Sequence, residues 1–245
     1  MKISLKIIGL ELLIIFFFTV NGAYVALVNP SHTFLQYIGL VPLTVGIFFY
    51  LLKTKKWRIY FYRDQPMSLK KTVLLCSPLF LVLVLLFIGN NGIDISSINQ
   101  LLLILGIQII IVAFIEEMFF RGFMLKILLS WGFKLAVLTS SLLFALTHSL
   151  QLLGGQSLES TILQIIYAFF IGMVFSLLIV NQQSILVTIV FHGLNNTLIM
   201  MGQNNHSSIY NYIIILLLII YTVFLWFRAL KSNECISNKN SEIPI

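Results

Sequence analysis

The sequence predicts an all-α polytopic membrane protein, a bundle of about eight transmembrane helices with both termini cytoplasmic. Three observations lead there. The 245-residue chain is 59% hydrophobic and only 9% charged, whereas a soluble domain is nearer a quarter charged. Its apolar residues fall into runs of membrane-crossing length, a bilayer core needing roughly 20 apolar residues as helix. Those runs lack the period-two alternation of a membrane β-barrel.

Taken in order, the runs cover residues 7–28, 34–52, 72–88, 98–120, 135–150, 161–180, 185–201 and 209–227. The first follows Lys2 and Lys6 like a secretion signal, but it is long, contains Glu11 and Asn21, and has no clear small-residue cleavage site. A retained helix is expected. The connection after the second run carries Lys53, Lys55, Lys56, Arg58, Arg63, Lys70 and Lys71, interleaved with Trp57, Tyr60, Phe61 and Tyr62. That mixture suits the headgroup region and reads as a solvated, topology-setting loop. Arg121, Lys126 and Lys134 follow the fourth run, and Arg228, Lys231 and Lys239 the eighth. The alternate connections, around His32, Asp94, Gln156 and His206, have no Lys or Arg. An eight-helix count puts all fifteen basic residues on one side, which is cytoplasmic by the positive-inside rule. The net charge of +7 is then topological, and no nucleic-acid partner is expected.

The chain divides into 1–97, three helices with the basic loop; 98–203, the segment holding the intramembrane acids and histidines; 204–231, a last helix; and 232–245, a polar tail read as disordered. Cys76 and Cys235 have no evident partners, so no disulfide is expected.

Within the eight runs the acids are Glu11, Glu116 and Glu117, and the histidines are His148 and His192. Charged side chains in the bilayer cost at least about 2.5–3.5 kcal/mol, so they need a partner or a task. Glu117 and Arg121 are spaced i,i+4 and can pair along one helix face. Glu116 points about 100° away and needs another partner. A purely structural cluster around Arg121 would require only one carboxylate. Gly132 is the sequence midpoint between Glu116 and His148. A turn at Ser130–Gly132 gives two arms of about 24 Å each at ~1.5 Å per residue, bringing the two side chains level. His192 lies about 14 Å along its helix from the polar turn Asn181-Gln182-Gln183, by the same rise. Asn196 is one turn further on the same face. His206 and His32 read as ordinary loop residues.

Such groups can hydrolyse an acyl bond. A carboxylate can act as general base on water, with a histidine sharing or orienting that water. A second histidine and an amide can donate to a developing oxyanion. Alternatively Glu116, His148 and His192 could hold a divalent metal such as zinc; the residues leave a metal or no cofactor open. No His-Glu-x-x-His motif occurs.

The trio Glu116-Glu117-x-x-x-Arg121, Phe144-x-x-x-His148 and His192-x-x-x-Asn196 resembles the three motifs of the CAAX protease and bacteriocin-processing family of intramembrane endopeptidases, over about residues 98–201. The resemblance implies eight helices around a cavity open to the cytoplasmic side. It implies peptide-bond hydrolysis, with Glu116 and His148 activating water and His192 and Asn196 stabilising the oxyanion. Glu117 and Arg121 would form a supporting salt bridge, with Phe144 packing. The compact chain resembles the bacterial branch, for which bacteriocin or peptide maturation, self-immunity or cleavage of membrane proteins is expected; CAAX processing is the eukaryotic activity. The partners are a membrane-associated protein or peptide and the lipid bilayer. Two other readings use the same residues: a non-catalytic immunity or partner-binding protein, and an ion-coupled transporter, which would favour helices broken at the site.

Overall fold

A computed structural model describes residues 3–61, 67–94, 97–203 and 208–241, with backbone alone for Ser208 and residues 232–241. His206 and Arg63 therefore lie outside the described residues. The described chain is helical: α1 Ile3–Val28, α2 Thr33–Lys53, the short α3 Trp57–Phe61, α4 Leu69–Gly89, α5 Ile98–Trp131, α6 Phe133–Gly154, α7 Leu158–Val180, α8 Ile185–Met200 and α9 Ser208–Ser241. Seven of these contain stretches long and apolar enough to span a bilayer, and α8 is a shorter apolar helix. The protein is a multi-pass membrane protein, and all eight predicted runs are helices.

Serine side chains open four of them. Ser68, Ser97, Ser157 and Ser184 accept from the backbone N–H groups of Lys71, Gln100, Ser160 and Leu186, groups that have no partner inside the helix. Asn21 inside α1 is satisfied by α2: its amide donates to the Gln36 carbonyl at 2.9 Å, and its oxygen accepts from Gly39 N–H at 3.0 Å.

Helix α8 has 16 residues, about 24 Å of helix against a core of about 30 Å. The α4–α5 connection folds over its end. Asn90 donates to the Leu198 carbonyl at 3.0 Å, Asp94 N–H to the Met201 carbonyl at 2.7 Å, and Ile93 pairs with Gly202. These bonds satisfy backbone groups that would otherwise be left unpaired at the end of this short helix.

Helix α5 continues beyond the apolar run to Trp131, as the turn expected at Ser130–Gly132 requires, with Arg121 buried by its neighbours. Two expectations are corrected. The 53–71 connection is not simply solvated: α3 docks against the bundle, with Tyr60 edge-on to Phe123 at 5.5 Å, the Phe61 carbonyl accepting from Ser184, and the Ile59 carbonyl accepting from Lys126. Helix α9 runs on through the polar tail to Ser241, there being no Gly or Pro after Ser208 until Pro244.

Candidate active site

The site is assembled by α5, α6 and α8. Helix α5 is not a uniform α-helix here. Two π-helical stretches, Gln108–Ala113 and Met118–Met124, flank one α turn, Phe114–Glu117. Single π turns inside α-helices often mark functional sites, and this pair brackets both glutamates. Opposite the first stretch, Gly193 lets α8 come close: a Cβ there would lie 2.9 Å from Ile109 Cα and 3.0 Å from its nitrogen. That approach sets His192 and Asn196 against α5.

The α5–α6 hairpin turns where expected. Gly132 adopts φ +94°, a left-handed conformation suited to glycine. Phe120 and Phe144, equidistant from it in sequence, meet edge-on at 5.2 Å. Ser140 donates to the Phe120 carbonyl at 2.7 Å.

The glutamates differ. Glu117 is fully buried, and its Oε1 accepts from Arg121 Nη1 at 3.0 Å, the pair predicted from spacing, and from His192 Nδ1 at 2.9 Å. Arg121, 1% exposed, lies over the Phe144 ring at 4.1 Å, with Phe175 and Phe120 further out at 5.6 and 5.9 Å. Aromatic faces attract a desolvated guanidinium. Gly172 leaves it room, since a Cβ there would lie 3.0 Å from Arg121 Nη2. Glu116 keeps 12% of its side chain open, and its Oε2 is 3.3 Å from His192 Nε2.

The expected pairing of Glu116 with His148 is therefore corrected. Glu116 contacts His192, and His148 lies within its electrostatic range without a hydrogen bond to it. At the end of α6 the helix tightens into a 3-10 stretch, His148–Gly154. There His148 Nδ1 is 2.8 Å from the Phe144 carbonyl and the ring sits edge-on to Phe144 at 4.8 Å. A carbonyl can only accept, so Nδ1 carries a proton, and in the neutral ring Nε2 presents a lone pair. Phe144, expected to pack, is the wedge between groups: it touches Arg121, His148 and also His192, the last at 5.7 Å.

Asn196 is partly open, one turn beyond His192. Its Nδ2 donates to Gln108 Oε1 at 3.2 Å. Sequence reasoning missed Gln108, although an amide deep in an apolar run is a visible signal. It also missed Tyr167, whose hydroxyl donates to Asn195.

The candidate metal set does not form a metal-binding group. Among the described residues no three His, Cys, Asp or Glu side chains are disposed to hold an ion. Both ring nitrogens of His192 face glutamates, and one of His148 faces a carbonyl. An open cavity of about 440 Å³ lies at the end of the bundle without Lys or Arg, lined by residues including Gln36, Asp94, Gln100, Ile104 and Met200. It lies away from the basic connections, which the positive-inside rule expects to be cytoplasmic.

No curated protein and no solved structure is significantly similar to the chain. A family model does match: residues 98–198 fit that of the Type II CAAX prenyl endopeptidase Rce1-like family. Glu116, Glu117, Arg121, His148, His192 and Asn196 all fall inside the matched stretch, so the part of this membrane protein that carries these residues is similar to the Rce1-like endopeptidase family.

Proposed function

We propose that the protein is an intramembrane endopeptidase that cleaves membrane-associated proteins or peptides with a water activated by Glu116. The observation that carries the reading is the unequal burial of the two carboxylates: Glu117 is sealed by Arg121 and His192, while Glu116 keeps an open edge. A water there meets two acceptors, Glu116 and the free Nε2 of His148. Glu116 takes a proton as the water oxygen attacks the scissile carbonyl carbon. The Asn196 amide, with one N–H on Gln108, has its second N–H for the oxyanion that forms.

Glu116 then returns the proton to the leaving nitrogen as the carbon–nitrogen bond breaks. His192 serves this step. Its Nδ1 donates to Glu117, and its contact with Glu116 is a hydrogen bond only when a proton lies between them. That shared proton gives Glu116 a place to hold what it takes from water. Glu117 and Arg121 fix the His192 ring. No step passes through a metal.

The basic connections face the cytoplasm in this reading, by the positive-inside rule. Bacteriocin or peptide maturation, self-immunity and CAAX-type processing are all compatible with this chemistry. The test compares membrane and secreted peptides by mass spectrometry between cells carrying wild type and Glu116→Ala. Peptides that accumulate only with wild type are the expected result. Identical peptide sets, with protection or binding retained, would point to a non-catalytic immunity protein. Purified protein treated with a strong chelator should retain its cleavage rate; loss of activity restored by zinc would overturn the metal-free mechanism.

A further inference from the structure

We infer that Gln108 is a positioning residue for Asn196, fixing the amide that faces the substrate carbonyl; this rests on the protease reading above. Gln108 lies in the first π-helical stretch of α5 and is 2% exposed. Its Oε1 accepts from Asn196 Nδ2 at 3.2 Å, while its Nε2 donates to the Tyr37 hydroxyl at 3.1 Å and to Met200 Sδ at 3.0 Å. Tyr37 also contacts Met200, its hydroxyl donating to the sulfur at 3.4 Å.

Both ends of the glutamine amide are thus engaged. Two acceptors hold its NH₂, so its oxygen is turned to α8 and can receive only a donor there. Asn196 must therefore present Nδ2, and its side chain is held with NH₂ toward α5. One of those two hydrogens is used by Gln108 and the other remains for an incoming carbonyl. The chain is sealed at Gln108 and partly open at Asn196, as expected when a buried group orients an exposed one. Interhelical amide pairs that only glue membrane helices need no such one-directional arrangement. Tyr37 lies on α2, outside the matched residues 98–198, so this chain supports the site from a helix that carries none of the three motifs.

The test uses the full-length protein in vesicles of phosphatidylethanolamine and phosphatidylglycerol. A fluorogenic farnesylated CAAX-type peptide is the substrate probe, and the ¹⁵N-labelled side-chain amide resonance of Asn196 is a second readout. Gln108→Met preserves shape and removes the acceptor; Gln108→Glu keeps a carboxyl oxygen toward Asn196. Gln108→Met should lower kcat by about 10- to 100-fold with KM within about 2-fold, and should shift the Asn196 resonance. Gln108→Glu should restore kcat to within about 5-fold of wild type and return the resonance toward its original position. A purely structural Gln108 would lower Tm alike in both variants, with kcat per folded molecule and the resonance unchanged, and that result overturns the inference. Should wild type leave the peptide uncut, or Glu116→Gln cut it at the wild-type rate, the protease reading fails on this probe. The Asn196 resonance then decides positioning by itself: unchanged in Gln108→Met, it overturns the inference; shifted in Gln108→Met and restored in Gln108→Glu, it supports it.

Discussion

Adjacent residues on one helix, Glu116 and Glu117, have opposite surroundings. Glu117 is paired with a guanidinium and an imidazole, with none of its side chain exposed, and that guanidinium lies over Phe144 and Phe175. Glu116 shares the same imidazole but keeps part of its side chain open, with His148 within its electrostatic range. His192 bridges the two, with one ring nitrogen on each. In the proposed mechanism the enclosed half is the frame, and the open half is the one a substrate would reach. Loss of function should follow from damage to either half, but for different reasons.

The largest expected effect separates them most sharply. Glu116→Gln keeps the shape and removes the base, so cleavage should fall by at least about 10³-fold while Tm in detergent stays within a few degrees of wild type. Measuring both on one preparation checks the division; a large fall in Tm would show that Glu116 belongs to the frame.

Glu117→Gln should act first through stability. It leaves Arg121 as a buried charge without its counter-ion, and breaking one partner of a buried pair costs about 3–5 kcal/mol. Thermal unfolding should show the loss, and the double variant Glu117→Gln with Arg121→Gln should recover part of it in a double-mutant cycle. Additivity of the two single losses would break the comparison, because it would mean that the pair does not act as a unit.

Some of this division was legible in the sequence and some was not. The eight helices follow from apolar runs and from the one-sided basic residues, which are local signals. The i,i+4 spacing identified the Glu117–Arg121 pair for the same reason. The equal-arm argument about Gly132 correctly brought α5 and α6 level, as the Phe120–Phe144 contact shows. It could not fix rotation about the helix axes, and the two π-helical stretches alter that rotation without any compositional mark. His192 was therefore placed at the right depth, but its contact with both glutamates was not foreseen.

A smaller effect tests how the halves are held in register. Gly193 is the point where α8 approaches the backbone of Ile109. Gly193→Ala inserts a methyl group against main-chain atoms that cannot rotate away, and overpacking of this kind costs about 1–3 kcal/mol. The displaced α8 carries both His192 and Asn196, so cleavage should fall by about 10-fold or more, since small misplacements are amplified in rate. Activity and Tm should drop together, unlike in Glu116→Gln.

The smallest effect concerns the aromatic wall of the enclosed half. Arg121→Lys keeps the charge beside Glu117 but exchanges a planar guanidinium, 4.1 Å from the centre of the Phe144 ring, for a compact ammonium. The guanidinium can stack on the ring and the ammonium cannot, so a desolvated cation–π contribution of up to about 2 kcal/mol is partly lost. Phe144 also abuts both histidines, so a shift of its ring would reach the open half. Unfolding should register a loss of about 1 kcal/mol, with kcat reduced less than in Gly193→Ala. Full retention of Tm would mean that charge alone holds the frame and that the phenylalanines merely fill space around it.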